Sequence, residues 1–320
     1  MNLSKRELFT SSVAAGAGLI RERIGLVVLL YVFDITIALL LAIPIYNAVV
    51  EHVGYSGFGA DLIQGFDLVL WRDIIDAMTD VLQGVGIQLL LVIPIYWIWK
   101  TASRMGVIYA LHQGAIWPFW RGVGYYTAKG LILGIVFLPV KIIGAGLAVV
   151  IGAGLSNIWI GSVGAFWTIG VITPILVISV LSMIDLFQRY ARISIVVRHD
   201  TIWNALSAGF SWPFKYGAAS YVYLLWFMIV AFVFIITQVL NATLHVGISA
   251  ILVGFLIQQI SLFTRSAAEV GWIGSEVDLF ERTYINELPL IADAEDIEMP
   301  EDLRRPDAGS QDAQGGLAFT

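Results

Sequence analysis

Six continuous apolar runs dominate the chain, at about 24–50, 81–99, 126–153, 161–183, 216–239 and 246–263. Each is 18 residues or longer, the length that crosses a ~30 Å hydrocarbon core as a helix. The runs do not alternate polar with apolar positions, and they are about twice as long as a barrel strand. In lipid every backbone amide needs an internal partner, which a helix supplies from its own segment. The pattern therefore predicts an all-α, polytopic membrane helix bundle of about six transmembrane helices, residues 24–265.

The polar segments between the runs set the orientation. Lys and Arg occur four at a time in the N-terminal arm, in the second and fourth connections, and in the C-terminal segment. Arg72 alone lies in the first connection and Lys141 alone deep within a run (Lys129, at the start of the third run, is counted with the second connection), which accounts for all 18. Basic residues are retained on the cytoplasmic side, so this alternation places both termini in the cytoplasm and the protein in the cytoplasmic (inner) membrane. Residues 1–23 read as an interfacial arm. Leu8, Phe9 and Val13 face lipid there, and Lys5, Arg6 and Glu7 stay in the headgroups. Arg21-Glu22-Arg23 stands where a signal-peptide cleavage site would fall, so the arm is not read as a signal peptide.

Two basic connections are patterned like amphipathic helices. Val107, Ile108, Leu111 and Trp117 are interspersed with Arg104, His112 and Gln113. Ile193, Val196, Val197 and Trp203 follow the same rhythm among Arg192, Arg198, His199 and Asp200. Both are expected to lie in the plane of the inner surface. They echo one another at an offset of 86 residues, where Ile116-Trp117 matches Ile202-Trp203 and Lys129 matches Lys215. A duplicated unit of span, in-plane segment and span would give that echo.

Residues 266–320 read as an acidic, largely disordered cytoplasmic tail. From Ala267 on, thirteen Asp and Glu face three Arg, and beyond about Ile291 the apolar content collapses. Anionic lipid would repel such a tail. Its role is solvation, or docking of a basic cytoplasmic partner.

Composition narrows the chemistry. The chain is 58% hydrophobic and 13% charged, with no cysteine and a formal charge of −6. Thiolate sites and disulfides are excluded, and the acidic balance disfavours nucleic acid. The four histidines, His52, His112, His199 and His245, have no metal-ligand spacing, so neither metal nor cofactor is expected. No nucleophile and base pair is visible.

Asp34 is the most informative single residue. It lies ten residues into the first run, roughly 15 Å deep, where a lone carboxylate costs at least ~2.5–3.5 kcal/mol. Lys141 is the basic residue within a run, and Gln88 the polar residue of the second. An intramembrane group of Asp34, Lys141 and Gln88 is expected, as a structural bridge or as part of an ion pathway. Gly130, Gly134, Gly144 and Gly152 fall on four-residue steps of the third run, which suits close helix packing. Pro44, Pro94, Pro139 and Pro174 place one proline in each of the first four runs and predict local loosening there. Tyr96, Trp97, Trp99, Trp117, Trp120, Tyr125 and Tyr126 cluster at run ends, as interfacial anchors do.

The segments Gly106–Ile108 through Pro118–Gly122 and Ala191–Ile193 through Asp200–Gly209, with the six-run layout, resemble a group of prokaryotic six-helix inner-membrane proteins. The group includes the membrane region of some glycerophosphodiester phosphodiesterases. The resemblance implies an architecture and no catalytic residue, since a phosphodiesterase domain has no counterpart in this chain. The sequence thus favours a non-enzymatic accessory or scaffold protein that associates with the lipid bilayer and with itself or other membrane proteins. The alternative is a proton- or ion-coupled transporter of a small solute or lipid, using Asp34 and Lys141.

Overall fold

The computed structural model describes residues 5–53, 79–158, 168–243 and 248–287. Most of the connection after the first apolar run, residues 159–167 and 244–247, and the tail beyond 287 lie outside these residues. Among the described residues the chain is all-α. Its elements are α1 (Lys5–Glu22), α2 (Ile24–Val53), α3 (Thr79–His112), α4 (Phe119–Ile158), a π-turn (Thr168–Ile172), α5 (Thr173–Val197), α6 (Ile202–Lys215), α7 (Gly217–Thr243) and α8 (Ile248–Glu287).

Three stretches are long and apolar enough to cross a membrane among the described residues: Phe119–Leu155, Thr168–Val197 and Gly217–Thr243. Only 17, 11 and 22% of their most apolar windows is buried. Large side chains such as Leu40, Leu90, Ile142, Val150, Phe232 and Leu252 face outward. An apolar surface on this scale points to lipid as the surrounding medium.

The buried core lies at one end of the helices, where the charges are. It is built from Thr101–Leu111 of α3, Ile184–Val196 of α5 and the stretch from Ser266 to Phe280 of α8. The first turns of α2, α4 and α7 complete it with Leu26, Val27, Phe119, Tyr126, Ala219 and Val222. Helix length explains the location. At ~1.5 Å per residue a 40-residue helix such as α4 or α8 is ~60 Å long, twice the hydrocarbon thickness. Between lipid-covered segments there is no hydrophobic drive to associate. The segments that project beyond them bury apolar surface away from water, which is favourable at ~25 cal/mol per Å².

This placement corrects three expectations. Residues 107–111 and 193–197 are not in-plane segments but straight continuations of α3 and α5, with Val107, Ile108, Leu111, Ile193 and Val196 buried. Their near-helical spacing reflects packing against neighbouring helices rather than a membrane surface. Only α6 is a separate short helix with an exposed aromatic face, Trp203, Phe210 and Phe214. Thr201 caps it by accepting from the Asn204 backbone amide. The proposed duplication does not extend to the helix breaks, because α4 is continuous from Phe119 whereas its counterpart splits into α6 and α7. Finally, the first part of the acidic segment, to Phe280, does not leave the bundle. α8 runs on to Glu287, and Val270, Trp272, Ser275, Glu276, Leu279 and Phe280 are among its most buried residues.

α1 also differs from a surface arm. It meets α2 at a 74° bend at Arg23, whose guanidinium donates to the Gly114 carbonyl. Ser12 and Gly16 are buried against α8. Ser12 donates to Asp278 at 2.8 Å, and a Cβ on Gly16 would collide with the Gly271 carbonyl and Ser275. Gly16→Leu is therefore expected to cost roughly 1–3 kcal/mol and to release α1. Faster trypsin cleavage at Arg21 and Arg23, with a lower melting temperature, would register it; an unchanged digest would refute this docking.

Prolines act differently by position. α3 and α4 run through Pro94 and Pro139. Pro174 follows the π-turn, where Thr173 donates back to the Thr168 carbonyl at 2.8 Å. Gly130 and Gly134 lie against Met105, Thr101 and Trp97 of α3, and Gly144 and Gly152 against Val180, Ile184 and Thr173 of α5. The glycine steps thus share one face of α4, which meets α3 along its first half and α5 along its second.

Candidate functional site

Where the apolar runs give way to the buried core, five helices contribute charges. Asp34 comes from three turns into α2, Lys100 and Arg104 from one face of α3, Asp185, Arg189 and Arg192 from α5, Lys141 from α4, and Glu269 and Glu276 from α8. The spacing of four between Lys100 and Arg104, and between Asp185 and Arg189, stacks each pair on one helix face. The seven between Glu269 and Glu276 does the same two turns apart on α8.

Lys100 Nζ donates to Asp34 Oδ2 at 2.9 Å and to Glu269 Oε2 at 3.2 Å. Arg104 Nε donates to the other oxygen of Glu269 at 3.1 Å. One turn deeper in the core, Arg189 Nε donates to Asp185 at 2.8 Å, and its Nη1 lies 3.5 Å from Glu276 Oε2. The Arg189 guanidinium also stacks on Trp272, 3.8 Å from the ring centroid. Trp272 Nε1 donates to Glu276 Oε1 at 2.7 Å, so both oxygens of that 1%-exposed carboxylate are engaged.

The structure does not bring Asp34 and Lys141 together. Lys141 donates to Gln188 at 2.6 Å and lies 3.8 Å from Asp185. The reason is helix order: α4 packs on α3 and α5, and α3 stands between it and α2. Asp34 therefore takes its counter-charge from the neighbouring helix. Gln88 lies in α3, but its side chain falls outside the described residues.

Beside this network is a cavity of about 500 Å³, within the range of small-ligand sites. Its charged wall holds Lys100, Arg104, Arg189 and Arg265 against Asp34 and Glu269. Its apolar wall is formed by residues such as Ile37, Val92, Ile93, Val230 and Leu262. Ile93 and Tyr96 of this wall are exposed, so the apolar side is not closed over. Behind Arg104 and Arg189, Arg192 is 4% exposed, and its Nε and Nη1 are buried with no hydrogen-bond partner. Among the described residues the network joins four cations, Lys100, Arg104, Lys141 and Arg189, to four carboxylates, with Arg192 buried behind them and Arg265 at the cavity wall in addition. An uncompensated charge in a low-dielectric setting is costly. The arrangement is poised to accept an anion.

The two α8 carboxylates, beyond the apolar run of that helix, are held in opposite states. Burial pushes Glu269 up, but Lys100 and then Arg104 outweigh it and hold its carboxyl at about 2. Burial dominates at Glu276 and pushes it up to about 7; Arg189 opposes this and Asp185 adds to it. A raised carboxyl binds more protons folded than unfolded, so its contribution is complete below the unfolded value near 4.5 and is lost as pH rises through about 7. Glu276→Gln should flatten the fall in melting temperature that wild-type protein shows between pH 5 and pH 8. An equally steep fall in the variant would remove Glu276 as its source.

Lys100, Arg104, Glu269 and the α5 group were not singled out from sequence, because they read as loop or tail charges. The available signal was their spacing: Asp185, Arg189 and Arg192 at intervals of four and three, and Glu269 and Glu276 at seven, each threaded through apolar residues.

No group of His, Cys, Asp or Glu able to hold a metal occurs among the described residues. Fold and site together define a helical bundle with membrane-type surfaces and a cation-rich cavity at its buried end. Comparison with family models, with curated proteins and with solved structures finds no match for the chain.

Proposed function

We propose that the chain is a six-span protein of the cytoplasmic membrane that binds an anionic solute or lipid in the cavity between α2, α3, α5, α7 and α8. The observation that carries the binding reading is the cavity wall itself, where four cationic side chains meet two carboxylates beside an open apolar surface. The six-span reading is supported by the alternation of the helices. α2, α4 and α7 begin at the charged end and α3, α5 and α8 pass into it, which agrees with the distribution of Lys and Arg and with the loose family resemblance. Both termini are then cytoplasmic. An accessory or scaffold role rests on the lack of visible catalytic residues and on the acidic tail, and the cavity favours ligand binding over it.

Absence of cysteine makes the topology directly testable. A cysteine introduced at Ser156 should react with a membrane-impermeant maleimide only from outside; labelling only from the cytoplasm overturns the topology. For binding, purified protein should melt at a higher temperature with anionic amphiphiles than with zwitterionic ones of equal chain length. The increment should shrink with added salt, as screening requires. Indifference to the charge of the additive would overturn the binding reading.

A transport role is the second reading. It is favoured by Asp34, whose Oδ1 is buried without a hydrogen-bond partner while Oδ2 holds Lys100. Flux in proteoliposomes that disappears with Asp34→Asn would establish it.

A further inference from the structure

We infer that the cavity is a seat for a phosphate group, held by Arg104, Arg189 and Lys100. The inference rests on the anion-binding reading above and specifies the anion's chemistry. Arg104 gives Glu269 only its Nε–H, and it lines the cavity at 28% exposure. Its terminal N–H groups have no hydrogen-bond partner among the described residues and are free to donate at the cavity wall. Arg189 commits Nε to Asp185 and Nη1 to Glu276, which fixes its plane at the cavity wall. Two guanidinium groups held on different helices suit the tetrahedral, multiply accepting phosphate, which takes paired N–H donors on several oxygens.

A second observation points the same way. Arg192 is buried behind these two, with Nε and Nη1 unpartnered. Between Arg192, Arg104, Arg189 and Glu276 lies a void of about 10 Å³, room for one water. The excess of positive charge therefore continues inward past the cavity wall. A phosphate monoester, with close to two negative charges at neutral pH, balances this excess better than a carboxylate with one. The exposed apolar wall accommodates a hydrocarbon chain, so a phosphate carried on a lipid and free phosphate differ in what they bury there.

The experiment uses the full chain in neutral detergent with three probes: dodecyl phosphate, dodecanoate and inorganic phosphate, followed by native mass spectrometry and thermal melting. The expected result is saturable 1:1 binding of dodecyl phosphate, at least tenfold tighter than dodecanoate. Arg104→Lys keeps the charge beside Glu269 but loses the fork, and should weaken dodecyl phosphate at least tenfold while leaving the ligand-free melting temperature within about 2 °C. Ala38→Trp, which fills the apolar wall, should weaken dodecyl phosphate and leave inorganic phosphate unchanged if the phosphate comes on a lipid. If inorganic phosphate binds as tightly as dodecyl phosphate, the seat is for the free ion and the phosphate assignment stands. Equal affinity for dodecanoate and dodecyl phosphate overturns the phosphate assignment while the anion-binding reading survives. Binding of none of the three overturns both.

Discussion

Arg189→Met is expected to be the most damaging single substitution in the described part of the chain, costing ~3–5 kcal/mol. Methionine keeps most of the volume and an apolar contact with Trp272, though not the cation–π attraction, so no large cavity opens. What is lost is the counter-charge of two acids at once. Asp185 would keep only Lys141, at 3.8 Å, and Glu276, 1% exposed, would keep only the Trp272 N–H. Arg189→Lys should recover little. One ammonium cannot span the positions of Nε and Nη1 or lie flat on an indole as a guanidinium does. At about 2–4 °C per kcal/mol for chains of a few hundred residues, the melting temperature should fall by roughly 10 °C. Adding Glu276→Gln to Arg189→Met should return part of that loss, since it removes one stranded carboxylate. A single-variant fall under 2 °C would show that Arg189 is not the keystone of this network.

How much of this was legible in the sequence depends on the solvent each segment meets. Lipid-facing stretches announce themselves, because nothing but apolar side chains is tolerated around their whole circumference. The long apolar helices α4, α5 and α7 follow from that rule, as does the helical class. The buried core was hidden for the complementary reason. Its helices carry Lys100, Arg104, Arg189, Glu269 and Glu276 among apolar residues, a composition that resembles a solvated surface when the partners on other helices are unknown. The acidic excess after 266 was real, yet Glu269 and Glu276 neutralise cations of α3 and α5 rather than facing water. Asp34 was legible as an anomaly from its depth alone. Its partner was not, because Lys100 lies one residue past an apolar run and reads as an interfacial cation.

Asp34 and Lys100 give the second large effect, and its asymmetry is the informative part. Lys100→Met strands Asp34, whose Oδ1 already lacks a partner, and removes one of the two cations on Glu269. Breaking a buried pair from this side should cost on the order of 3 kcal/mol. Asp34→Asn is milder, about 1 kcal/mol, because Lys100 keeps Glu269 and an amide oxygen can still accept from Nζ. The double variant should be more stable than Lys100→Met alone, with a coupling of ~1–3 kcal/mol between residues in direct contact. The same cycle run on Asp34 and Lys141 should show no coupling beyond ~0.5 kcal/mol, the level for residues that share no partner. A large Asp34–Lys141 coupling, or none between Asp34 and Lys100, would mean that α2 meets a different face of the bundle. The charged wall of the cavity would then have to be redrawn with it.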